Sequence, residues 1–133
     1  MPDPRTRSMH PAEFALIRQR LGLSLAGTAR MLGVGERAPR RWVQDDLAGP
    51  GPEAAAQLRD MLAAHDKKLN TELAKLRDSK TRPVTLMRYA TEERMEAAGV
   101  DHPTLRSQDA YLAELAVLLH HEGISVEITG DER

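Results

Sequence analysis

The stretch Gly49-Pro50-Gly51-Pro52 constrains the fold of this chain more than any other. Two glycines and two prolines in alternation cannot continue a helix, so whatever precedes them ends there. Pro52 is itself suited to the first turn of a new helix, where its missing N–H is not needed. From Glu53 to Arg82 the chain then holds neither glycine nor proline. Leu58, Leu62, Leu69, Leu73 and Leu76 recur along this run at helical spacing, which predicts a long helix from Glu53 to about Asp78 that packs lengthwise against other helices. The break therefore divides the chain into residues 11–50, made of short elements, and residues 51–133, organised on the long helix, with residues 1–10 read as a flexible arm.

Short helices fill the first part. Pro11 opens one that runs to Leu21, with Phe14, Ile17 and Leu21 on a single face, and Gly22 stops it. Ser24 caps a second through Leu32, where Leu25, Ala29 and Leu32 share a side and Gly33 ends it. A third is expected from about Glu36 to Gln44. Two short helices joined by a tight glycine turn are the requirement of a helix-turn-helix. Pro39 falls inside the third helix. Near a helix start the amide hydrogens have no intrahelical partner, so proline is tolerated there and its ring can fill a core position. A slightly distorted first turn is the expected cost, through restriction of Ala38.

The pattern changes after Pro83. "VTLMRY" favours a strand, with Val84 and Leu86 on one face and Met87 and Tyr89 on the other. Thr91 caps a short helix that Gly99 ends. Ser107 is expected to cap another, with Tyr111, Leu112, Leu115, Leu118 and Leu119 on its apolar face, ending at Gly123. "ISVEIT" alternates Ile124, Val126 and Ile128 with polar residues, as a half-buried strand does. The fold class is mainly α: an N-terminal helix-turn-helix bundle, then a long helix and a small α+β dimerisation region with two short strands.

Hydrophobic residues are 41% of the chain and charged residues 29%, a globular composition, while aromatics are only 3%. A small core built from aliphatics is marginal alone and favours an oligomer. The absence of cysteine excludes disulfides, thiolate metal sites and a thiol nucleophile. His10 and His102 lack partners at ligand spacing, His120 and His121 are adjacent and point to different helix faces, and His65 lies in the leucine stripe, so no metal is expected. No nucleophile triad, phosphate loop or carboxylate pair stands out, and neither an enzyme nor a cofactor is expected. No apolar run reaches the length of a membrane span and no signal peptide opens the chain, so the expected location is the cytoplasm. Charge is unevenly spread. Residues 1–50 carry eight arginines against five acids, a net +3, and residues 81–133 carry five arginines against ten acids, a net −5. A basic head suits a polyanion, and an acidic tail faces solvent or a protein partner.

Leu21-Gly22-Leu23-Ser24, Ala29, Leu32-Gly33-Val34 and Trp42, read as one unit, resemble the Cro/XRE-type helix-turn-helix of bacterial and phage repressors. In that motif Ala29 is small where two helices cross, Gly33 makes the turn, and Val34 plugs the core beneath it. The layout of the whole chain is similar to the YdiL-like helix-turn-helix proteins and to the regulators associated with anti-CRISPR operons. Three positions depart from the family pattern: Leu25 stands for a glutamine, Val43 for an acid that would pair with Arg18, and Pro39 for a branched aliphatic.

The resemblance implies a dimeric repressor that binds double-stranded DNA, with a palindromic operator and a dimer made by the C-terminal half. Glu36, Arg37 and Arg41 would face base edges and Arg40 the phosphates, while Ser24, Arg30, Gly35, Ala38 and Gln44 complete the expected contact surface. Trp42 is expected in the core. The dimer would use Leu62, Leu69, Leu73, Leu86, Leu115, Leu119 and Val126, with the free edges of the two strands pairing across the two-fold axis. The alternative is a protein-interaction module, such as an antitoxin whose acidic half holds a protein partner, with DNA binding secondary.

Overall fold

The computed structural model describes residues 8–44 and 48–131. These form α1 (Pro11–Leu21), α2 (Leu25–Leu32), α3 (Arg37–Trp42), α4 (Pro52–Ser79), β1 (Val84–Arg88), α5 (Glu92–Ala97), α6 (Leu105–His121) and β2 (Val126–Gly130). The fold is mainly α with a small α+β region. The chain makes two compact units, one ending at His65 and the next beginning at Asp66.

In the first unit Met9, Phe14, Ile17, Leu21, Leu23, Leu32, Ala55 and Leu58 make one core, with Leu25, Trp42, Met61 and Leu62 packed against it. The core thus draws on the first turns of α4. The compact units divide inside α4, not at the Gly-Pro break, because Ala55 and Leu58 bury fully beneath α1 and α2 residues. Residues 1–7 of the expected flexible arm lie outside the described residues, but Ser8–His10 depart from that expectation. The Met9 N–H donates to the Pro50 carbonyl at 2.9 Å, and the Met9 side chain is only 2% exposed. His10 caps α1, its Nδ1 accepting the Ala12 N–H at 3.0 Å. Gly49 runs so close to this segment that a Cβ there would collide with the Met9 carbonyl oxygen. The Gly-Pro break is therefore a docking point for the N-terminal segment as well as a helix start. Arg59 of α4 closes the unit with a bidentate pair to Glu13 of α1, both bonds at 3.1 Å.

In the second unit Leu69, Leu73, Val84, Leu86, Tyr111, Leu112, Leu115, Leu119 and Ile124 form the core. The two strands pair with each other in parallel, in a register running from Val84↔Val126 to Arg88↔Gly130. A parallel pair needs a long crossover, and α5 and α6 supply it. Val84 and Leu86 point inward and Met87 outward, as the alternation predicts. The second strand differs from expectation. Ile124 is buried ahead of the strand, its N–H held by the Leu119 carbonyl at 3.0 Å, and Ile128 is 55% exposed.

The cap of α6 is also corrected. Thr104, not Ser107, is the cap: the Thr104 hydroxyl accepts the Ser107 N–H at 3.0 Å and the Ser107 hydroxyl accepts the Thr104 N–H at 3.1 Å. Serine here completes a capping box from the first turn. Two bidentate ion pairs brace the unit, Arg77–Glu122 at 2.6 and 2.8 Å and Arg88–Asp109 at 3.0 and 3.1 Å.

Most residues expected at a dimer interface are core residues of a single chain. Leu69, Leu73, Leu86, Leu115 and Leu119 are all buried within the second unit, and Leu62 and Val126 are half-buried. A side chain already covered by its own unit has no area left to offer a second copy.

Candidate nucleic-acid interface

The α2–α3 segment is built by local rules that its sequence states clearly. Ser24 begins α2 with its Oγ accepting the Gly27 N–H at 2.9 Å. Its carbonyl accepts both the N–H and the hydroxyl of Thr28, each at 2.8 Å, and Thr28 is fully buried. Ala29 is 2% exposed, small where α2 meets its neighbours. Gly33 then takes a left-handed conformation, φ 69°, that a side chain would strain, and the Val34 N–H reaches back to the Ala29 carbonyl at 3.0 Å. This closes α2 and redirects the chain into α3.

Val34 does not plug the core. It is 38% exposed, and together with Met31, 43% exposed, it leaves apolar surface at the turn. The left-handed Gly33 carries the chain away from the core before Val34 is reached. Pro39, by contrast, is fully buried, as expected of a ring that stands for a branched aliphatic.

α3 is shorter than expected, Arg37–Trp42 in place of 36–44. Pro39 is its third residue, where an amide hydrogen would have no strong claim on a partner, and the Ala38 N–H is held by the Gly35 carbonyl at 3.2 Å. Trp42 is half-buried and meets Phe14 edge-to-face, ring centroids 5.5 Å apart at 83°. Pro39 and Trp42 together anchor α3 to the core of the first unit, which fixes the face turned to solvent. Arg18, whose expected acidic partner is replaced by Val43, donates from Nη1 to the Leu23 carbonyl at 3.2 Å.

Arg30 at the end of α2, and Glu36, Arg37, Arg40 and Arg41 on or beside α3, are all exposed, as are Gly35 and Gln44. Ala38 is half-buried, and so is Ser24, whose hydroxyl is engaged in capping. Glu36 occupies the cap position of α3 but makes no side-chain capping bond; its carboxylate lies 3.9 Å from Arg40 Nη2, with both side chains more than half exposed. Between Glu13 and Asp45 it is the only acid in the sequence, against six arginines. The surface of α2 and α3 is thus cationic around one carboxylate. Such a surface can hold phosphates through guanidinium pairs and read base edges through planar donors.

Among the described residues no three His, Asp or Glu side chains gather as a metal site would require, and no helix is long and apolar enough to cross a membrane. Neither a protein-family model nor a curated protein matches the chain.

Proposed function

We propose that this protein is a sequence-specific DNA-binding transcriptional regulator, a dimeric repressor of a palindromic operator acting in the cytoplasm. The observation that supports this reading best is the division of α3 into two faces: Pro39 and Trp42 are turned inward while Arg37, Arg40 and Arg41 stay in solvent. An anchored helix presents its arginines from a backbone already ordered before contact with a duplex, and arginine reads guanine bidentately in the major groove.

The test is selection of bound duplexes from a random pool, then titration of the selected site by fluorescence anisotropy at several salt concentrations. Arg37→Ala and Arg41→Ala are each expected to weaken the selected site by about 1–3 kcal/mol and relax its sequence. Arg40→Ala should weaken all duplexes alike and flatten the salt dependence. If both of the first two variants bind the selected site as the parent does, the assignment fails.

The second reading, a protein-interaction module, is favoured by one feature of the second unit: Ile128, Val117 and Met87 are exposed on the acidic half of the chain. Co-purification of a stoichiometric protein with no duplex selected would support it.

A further inference from the structure

We propose that Glu36 is a specificity residue, which makes a cytosine amino group a required feature of each half-site and penalises binding to any other sequence. This rests on reading the α2–α3 surface as a duplex interface.

A carboxylate is the wrong group for a surface that merely holds phosphates. At the start of a helix that exposes Arg37, Arg40 and Arg41, it cancels part of their charge and repels a polyanion. A structural role at the start of α3 would account for it, but Glu36 makes no side-chain capping bond. Among the described residues its one ionic contact, to Arg40, is 3.9 Å long between side chains 60% and 66% exposed, the kind of pair that contributes little to stability. The carboxylate is therefore fully able to accept from outside. The Glu36 side chain is itself exposed to solvent.

A carboxylate at the front of a helix in the major groove can be satisfied only by an exocyclic amino group. Cytosine N4 offers that donor without a neighbouring acceptor on the same base, whereas adenine adds the N7 lone pair, which a carboxylate cannot use. Where no amino group is present, Glu36 is desolvated beside acceptors and phosphates, and binding is lost. The flanking arginines suit the guanines of the same G·C-rich step.

The experiment is selection from a random duplex pool with the parent, Glu36→Gln and Glu36→Ala, followed by anisotropy on the selected duplex and a scrambled duplex of equal length. The parent should select a G·C pair with cytosine at one fixed position per half-site. Glu36→Gln should shift that position to adenine, which glutamine matches with a donor and an acceptor. Glu36→Ala should lose preference there only, by about 5- to 150-fold, while the scrambled duplex binds more tightly than it does to the parent. A selected site whose preferences are unchanged in both variants overturns the role of Glu36 and leaves the duplex interface standing. A parent that selects no sequence, with its thermal midpoint intact, overturns both.

Discussion

Replacing Gly49 by alanine tests whether the N-terminal segment is part of the first unit. The new methyl group would collide with the Met9 carbonyl oxygen and press on the backbone of His10 and Pro11. Backbone atoms cannot swing aside as a side-chain tip can, so the Met9–Pro11 segment must lift. Lifting it breaks the Met9 N–H to Pro50 bond and exposes a methionine that is now 2% exposed. The bond contributes about 0.5–1.5 kcal/mol. Burial of the side chain contributes about 1.5–3 kcal/mol. Against these stands a gain of about 0.4–1 kcal/mol from the stiffer unfolded chain. The net loss is about 1–4 kcal/mol. Urea unfolding followed by the fluorescence of Trp42, the only tryptophan, reads this unit directly. Gly35→Ala is the matched control, because open space surrounds its Cβ position and its φ is ordinary; it should be neutral or slightly stabilising. Gly49→Ala as stable as the parent would refute the docking of residues 9–11.

Other perturbations separate the remaining elements. Pro39→Val should leave the first unit folded and change its stability by less than about 1 kcal/mol, since valine fills the same buried space and regains an N–H while the unfolded chain becomes freer; a large drop in the Trp42 midpoint would show that the backbone path depends on the ring. Lys80 follows α4 in a left-handed conformation, φ 61°, so Lys80→Gly should stabilise the second unit by about 0.5–1 kcal/mol in urea unfolding followed by ellipticity. Burial, with the charge of Glu72 adding to it, pushes the Tyr111 hydroxyl from 10.0 up to about 12. A raised folded value stabilises fully below the unfolded value near 10 and is lost as pH rises towards 12. Tyrosinate absorbance should therefore report ionisation of Tyr111 late and together with unfolding of the second unit, and early titration in the folded protein would contradict its burial.

The parts of this fold legible in the sequence are those set within a few residues. Gly22 and Gly33 end α1 and α2 in left-handed conformations, Ser24 and Thr91 cap their helices, and Pro52 opens α4, because each of these choices is decided by the backbone of its own turn. The exposed arginines of α3 follow from the same register once Pro39 and Trp42 are turned inward. Where two local solutions competed, the sequence did not decide. Thr104 and Ser107 are both good caps, and only the structure shows them acting reciprocally. What depended on distant partners was not legible. Nothing near Met9 signals that it packs beneath Pro50, and nothing near β1 names β2 as its parallel neighbour. The leucine stripe of α4 is continuous in spacing, yet it serves two cores, with Ala63 and Ala64 and then His65, Asp66, Lys67 and Lys68 between Leu62 and Leu69. Those polar residues are the one sequence signal of the division.

The fate of the leucines bears directly on how a dimer would form. A single short recognition helix makes few contacts, so helix-turn-helix proteins bind as dimers whose helices lie about 34 Å apart. With Leu69, Leu73, Leu86, Leu115 and Leu119 buried within one chain, the dimer proposed above would have to use surface that remains open. The outer edge of β2 is such a surface. Val84 N–H bonds to Ser125 O and Asp131 N–H to Arg88 O, so in a parallel pair the amide and carbonyl groups of Val126, Ile128 and Gly130 point away from β1. Antiparallel pairing of two such edges about Ile128 would set Val126 against the partner's Gly130 and Glu127 against the partner's Thr129, so no acid meets an acid. Ile128, 55% exposed in the single chain, would meet its own copy across the axis. Ile128→Lys should thus leave folding within about 0.5 kcal/mol of the parent, as surface changes do, yet face two charges across the axis and shift the protein to monomer. Val117→Lys, equally exposed at 54% but on the outward face of α6, should leave association unchanged. Sedimentation at micromolar concentration distinguishes the cases. A parent that sediments as a monomer removes the dimer, and an Ile128→Lys variant that dimerises like the parent moves the interface off this edge.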